Sequence, residues 1–265
     1  MRPSPCGRRG GKLRILSGDK DGETSYGEFP WMLAIFRRRG KDWKFRCGGS
    51  LIRMNMVLTA AHSVKRFAKS PELLMVRAGA WDLMNDLEDP NVQEMGVSRV
   101  IIHENFNERG VLNDIAVLKT SEAFRADSNV GIVCLTKIAD YFPPQKRCIV
   151  AGWGYGTYDL EPTDTVMRQV VVPLVSREHC QNQLRRTALS RYFTLHENNL
   201  CAGGEKDVDA CTGDGGGPLV CEVDGRYFQV GIVSWGVGCG KEDVPGLYVD
   251  VTKFINWIVE TYKTF

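Results

Sequence analysis

From Phe29 onward, short apolar runs alternate with breaks of glycine, proline, aspartate and asparagine. The clearest runs are Met32–Phe36, Met56–Leu58, Ile115–Leu118, Cys148–Ala151, Gln169–Val172 and Gln229–Val233, most of them rich in β-branched side chains. Runs this short are too brief for helices, and their regular recurrence predicts an all-β barrel or sandwich. A helical period emerges at the end of the chain, where Phe254, Ile255, Ile258 and Tyr262 fall on one face and Thr252 stands where a cap belongs. That pattern predicts a helix over 252–263. Residues 1–14, rich in glycine, arginine and proline, read as a linker at the end of a longer upstream region.

Composition narrows the class. The chain has 265 residues, 43% hydrophobic and 25% charged, enough for one large β unit with its own core. Lysine and arginine number 34 against 32 acidic residues, a net charge of +2, so nucleic acid is not an expected partner. The basic run Arg37-Arg38-Arg39-Gly40-Lys41 reads as a solvated loop, with a heparin-like ligand as the lesser alternative. No apolar run is long enough to span a membrane, and no signal peptide precedes Cys6. The nine cysteines include no Cys-x-x-Cys pair, which argues against a metal ribbon or a redox motif. Their wide spacing fits structural disulfides and an oxidising, secreted setting. The odd number leaves at least one thiol without an internal partner.

Three segments carry candidate chemistry: Leu58-Thr59-Ala60-Ala61-His62, Asn113-Asp114-Ile115-Ala116-Val117-Leu118, and Asp209-Ala210-Cys211-Thr212-Gly213-Asp214-Gly215-Gly216-Gly217-Pro218. Together with Cys47-Gly48-Gly49-Ser50, Gly152-Trp153-Gly154 and Ser234-Trp235-Gly236, they resemble the chymotrypsin/trypsin family in order and content, from about Ile15 to Tyr262. The resemblance implies two packed antiparallel β-barrels, roughly 15–130 and 131–250, followed by the helix, with no cofactor and no metal. In that family a serine attacks the scissile carbonyl, a histidine takes its proton and a buried aspartate orients the histidine. His62 and Asp114 match the histidine and the aspartate. The serine position holds Gly215, so no acyl-enzyme can form. The oxyanion hole would use the N–H groups of Gly213 and Gly215.

A second departure lies beside the first. Most relatives have a cysteine after the histidine, bridged to the cysteine of the Cys-Gly-Gly-Ser motif; here that position is Ser63, which leaves Cys47 without its usual partner. An engineered Gly215 would not account for both changes, whereas relaxed selection on catalysis would. The remaining cysteines match family bridges, implying Cys6–Cys134, Cys148–Cys221, Cys180–Cys201 and Cys211–Cys239. Spacing alone could not choose these among about a hundred connectivities. Cys47 is either buried and inert or paired with another chain. Loss of its bridge and the triple glycine both predict local loosening.

The resemblance also implies an activation site and a pocket. Arg14-Ile15-Leu16-Ser17-Gly18 partly resembles the site where family zymogens are cut, after which the new Ile15 amine would pair with Asp214; an uncut vestige is the alternative. Asp209, with Gly236 and Gly246 keeping the slot open, matches a pocket for a lysine or arginine side chain. Either a partner's basic residue enters it uncut, or the pocket is a collapsed relic. The segments Cys6-Gly7-Arg8-Arg9, Leu13–Asp19, Tyr26–Ile35 and Ala80-Trp81-Asp82-Leu83 resemble arthropod clip-domain serine protease homologues. These are secreted into haemolymph and assist an active clip-type protease in converting prophenoloxidase. The expected role is a non-catalytic cascade cofactor in melanisation. A microbe- or ligand-recognition module and a protease carrying an artefactual Gly215 are the competing readings.

Overall fold

The computed structural model describes residues 6–10, 22–85, 89–137, 142–154, 165–207 and 214–264. Six strands close the first barrel: β1 (Met32–Arg39), β2 (Asp42–Arg53), β3 (Met56–Thr59), β4 (Leu74–Ala78), β5 (Gln93–Ile102) and β6 (Ala116–Thr120), in the spatial order β1-β2-β3-β6-β5-β4. A short helix α1 (Ala61–Val64) follows β3. The second barrel contains β8 (Arg147–Gly152), β9 (Arg168–Val175), β10 (Asn199–Gly203), β11 (Pro218–Val223), β12 (Arg226–Trp235) and β13 (Pro245–Asp250), closed by pairing of β11 with β12. A two-residue strand β7 (Cys134–Leu135) lies parallel to β12, and Gly131 sits just before it. The architecture is the pair of six-stranded antiparallel barrels that the sequence implied.

The continuous apolar runs are explained by burial on both strand faces. Along β1, Leu33 and Ile35 point into the first barrel with Leu51, Val57, Val76 and Leu118. Met32, Ala34 and Phe36 point the other way, into a layer that also contains Val220, Ile232 and Val249 of the second barrel. This shared layer binds the barrels together and includes Trp31, Trp153, Phe254 and Ile258. Beyond the barrel, Arg37–Lys44 form a hairpin tip with Gly40 at φ +64°, and its side chains are exposed, as a solvated loop requires.

Two helical details differ from the sequence reading. The terminal element begins as a 3-10 turn, Val251–Phe254, and becomes the α-helix proper, α3, at Ile255–Lys263. Its start is capped by Asp250, whose carboxylate accepts from the Thr252 N–H and hydroxyl, so Thr252 donates to the cap instead of providing it. A further helix, α2 (Arg177–Leu184), was not expected. It is weakly amphipathic, burying Cys180, Gln183 and Leu184, and Ser176 caps it by accepting from the His179 N–H.

Residues 6–10, within the stretch expected to be a linker, pack on the body. Gly7, at φ +69°, donates to Ile132 O and accepts from the Tyr227 N–H. Arg9 pairs with Glu28, donates to Tyr227 Oη and Gln169 Oε1, and lies 4.8 Å from the Phe29 ring centroid. Disulfides join Cys6 to Cys134, Cys148 to Cys221 and Cys180 to Cys201. Cys239 is disulfide-bonded; Cys211, its expected partner, lies outside the described residues. Among the described residues no helix is long and apolar enough to cross a membrane.

Candidate functional site

The site forms where the barrels meet. The first barrel contributes His62 on α1 and Asp114, which precedes β6; the second contributes Ser234 on β12 and the turn 214–217 ahead of β11. Asn113 takes a left-handed conformation, φ 52°, which asparagine tolerates. Its side-chain oxygen accepts from the Asn198 amide and its own amide donates to Asn105 O, fixing the turn that aims Asp114 inward.

Asp114 is completely buried and its carboxylate is fully used. Oδ1 accepts from the His62 backbone N–H at 2.7 Å, and Oδ2 pairs with His62 Nδ1 at 2.7 Å and accepts from Ser234 Oγ at 2.6 Å. A carboxylate only accepts, so Nδ1 carries the proton and Nε2 is left as the acceptor of the neutral ring. The imidazole is one-third exposed. Gly215 faces it: a Cβ there would lie 3.5 Å from Nε2 and 3.7 Å from Cε1, ordinary contact distances. A serine would therefore fit. With glycine, position 215 places no nucleophile before the base. The Ser234 hydroxyl is committed to Asp114; Thr212 lies outside the described residues.

The described part of the nucleophile turn is tied by backbone hydrogen bonds. Gly48 N–H donates to Gly215 O, Gly216 N–H to Val233 O, Gly217 N–H to Asp214 O, and Val233 N–H to Gly217 O. Asp214 Oδ1 accepts from the Gly154 N–H at 2.9 Å, and a Cβ on Gly152 or Gly154 would come within 2.4 Å of that carboxylate. The Gly-Trp-Gly motif is thus explained by the approach of Asp214. Of the pocket residues, Gly236 faces Gly246, whose Cα would lie 3.9 Å from a Cβ on Gly236. Asp209, Gly213, Arg14 and Ile15 lie outside the described residues. Among those described, no cluster of histidine, cysteine, aspartate and glutamate suits a metal.

The missing bridge has a local substitute that sequence reasoning did not find. Register passes from Ile35↔Cys47 to Phe36↔Phe45, which leaves Arg46 as the extra residue of a β-bulge. Arg46 Nε donates to Ser63 O at 2.9 Å, tying β2 to the helix that carries His62. Cys47 is only 2% exposed, near Thr59 Oγ1 at 3.9 Å, and burial pushes its thiol up to about 11. Of the two expected fates, the structure shows Cys47 buried. Since only the thiolate is nucleophilic, iodoacetamide at pH 8 is expected to leave Cys47 unmodified in the folded chain and to alkylate it after denaturation. Peptide mass mapping checks this, and rapid native labelling would contradict it. Ser63, 5% exposed, places its hydroxyl 3.0 Å from His62 Nε2.

Residues 20–258 match the Trypsin family model. The chain is 42% identical to "Phenoloxidase-activating factor 2" of Galleria mellonella, across 96% of this chain and 87% of that protein. It is 39% identical to "Protein masquerade" of Drosophila melanogaster, over 95% of this chain but 23% of that protein. It is also 36% identical to "Inactive CLIP domain-containing serine protease A3" of Aedes aegypti, over 98% of this chain and 54% of that protein. The chain thus spans from about a quarter to most of the length of these relatives, one of which is named as an inactive protease.

Proposed function

We propose, on the premise that this chain belongs to the trypsin family, that it is a member without peptidase activity, acting as a secreted cofactor or adaptor in an arthropod proteolytic cascade. One observation carries the loss of activity: Gly215 stands in contact range of a fully assembled His62–Asp114 pair and offers it no hydroxyl. A positioned base with no hydroxyl at the nucleophile position cannot form the acyl-enzyme there. What an oxyanion hole and binding alone supply, roughly 10³–10⁴-fold over water, falls far short of proteolysis because the uncatalysed reaction is so slow.

The cofactor role is supported by the relatives. One is named for activating phenoloxidase and others are named inactive. We infer prophenoloxidase and an active clip-type protease as partners, with Asp209 as a seat for a partner's basic side chain. The disulfides fit an oxidising extracellular compartment such as haemolymph.

The test has two arms. An arginine-ended chromogenic peptide should show no turnover; ordinary protease rates that vanish in His62→Ala would overturn the first claim. Added to purified prophenoloxidase and its activating protease, the chain should raise the yield of active phenoloxidase; no change in conversion or product activity would overturn the second.

A further inference from the structure

We propose that Ser63 is a positioning residue that occupies the general base, so that the site is blocked a second time, independently of Gly215. The idea rests on the reading of Gly215 as a lost nucleophile and adds to it. A neutral imidazole has one acceptor lone pair. With Nδ1–H committed to Asp114, that lone pair is on Nε2, the atom that would have to take a nucleophile's proton. The Ser63 hydroxyl lies 3.0 Å away and donates to it.

This donor is held in place. The Ser63 N–H donates to Ala60 O at 3.3 Å, and its carbonyl accepts from Arg46 Nε at 2.9 Å, so the backbone is pinned on both sides. Ser63 is almost completely buried, and the other group its hydroxyl meets is the Cys47 thiol, a weaker acceptor than an imidazole nitrogen. A half-cystine at this position would have no proton to donate; serine turns an inert group into a competitor. The competition is direct, because a hydroxyl on a Cβ at position 215, 3.5 Å from Nε2, would reach for the same lone pair. One lone pair cannot serve two well-aligned donors. Ser63 also steadies the ring, so the exposed edge of His62 is present yet chemically quiet.

The experiment reads the lone pair itself. Diethyl pyrocarbonate acylates an imidazole nitrogen that is unprotonated and free, and peptide mass mapping can follow His62 separately from His179 and His196 in the same chain. Ser63→Ala is expected to raise the rate at His62 about tenfold, while His179 and His196 keep their rates. Ser63→Thr, which keeps the hydroxyl, is expected to stay at the wild-type rate. Equal His62 rates in wild type and Ser63→Ala would overturn the proposal and leave the reading of Gly215 untouched. In a second arm, Gly215→Ser/Ser63→Ala should hydrolyse an activated arginine ester at least tenfold faster than Gly215→Ser alone. Equal rates in that pair would overturn the competition, whereas turnover by the wild-type chain would overturn the reading of Gly215 instead.

Discussion

Gly216→Ala is expected to lower the melting temperature by about 10 °C. Gly216 sits at φ +84°, where an L side chain is strained by about 1–2 kcal/mol. The added Cβ would also lie 2.3 Å from Thr59 Oγ1, 2.6 Å from Gly48 O and 3.2 Å from Ala60 N. Two of those atoms are backbone, and Thr59 Oγ1 is held by its own hydrogen bond to Gly48 O at 2.8 Å. The methyl would thus wedge the turn 214–217 away from the strands that lead into His62. Overpacking of this kind costs about 1–3 kcal/mol more. The total, about 2–5 kcal/mol, converts at roughly 2–4 °C per kcal/mol for a chain of this size, which centres on about 10 °C. Gly225→Ala separates the two causes. It has a similar φ, +73°, with nothing within 4 Å of the added carbon, so it should show the conformational cost alone. Calorimetry of the two variants decides the point: equal shifts would mean that the close approach at Gly216 does not matter.

The strands could be read from the sequence because burial on both faces writes itself into composition. Met32–Phe36 is apolar throughout since alternate residues enter the barrel interior and the layer between barrels. Helix α2 could not be read the same way, because its buried positions include Gln183 and a disulfide cysteine, leaving too little apolar periodicity. The one local signal was Ser176 followed by Glu178, a cap and an acidic first turn. At the other end, Thr252 looked like a cap because it precedes the periodic residues, but the first turn is 3-10, which moves the cap back to Asp250.

The site was legible to different depths. His62, Asp114 and Gly215 stand out by motif, and the structure brings all three together. What stands beside the missing Cys47 bridge was not legible. Sequence shows that a covalent tie is missing, but a β-bulge aiming Arg46 at Ser63 O depends on strand register, which no local pattern encodes. For the same reason Ser63 reads in the sequence only as an absent cysteine. That its hydroxyl meets Nε2 depends on the orientation Asp114 imposes on the His62 ring from 52 residues away.

Asp114→Ala is expected to destabilise the fold by about 3–5 kcal/mol. In a working protease this aspartate is discussed as the orienter of the histidine, and its loss is measured in rate. Here the cost must be measured in stability. The fully buried carboxylate accepts three hydrogen bonds, from the His62 N–H, His62 Nδ1–H and Ser234 Oγ–H. The first is a donor of the opening turn of α1, without an intrahelical partner. The third comes from β12, so one side chain joins the first barrel to the second. Alanine would strand these donors, two of them in the interior, and an unpaired buried polar group costs about 1–3 kcal/mol. Breaking a buried charged contact by deleting one partner falls in the same range, about 3–5 kcal/mol. Urea unfolding of wild type and Asp114→Ala measures it, and a difference below about 0.5 kcal/mol, the level of an ordinary surface change, would sink the argument. A large loss would explain why a chain with glycine at position 215 keeps its imidazole–carboxylate pair: its hydrogen bonds make a joint between two barrels, and stability alone is reason to maintain it.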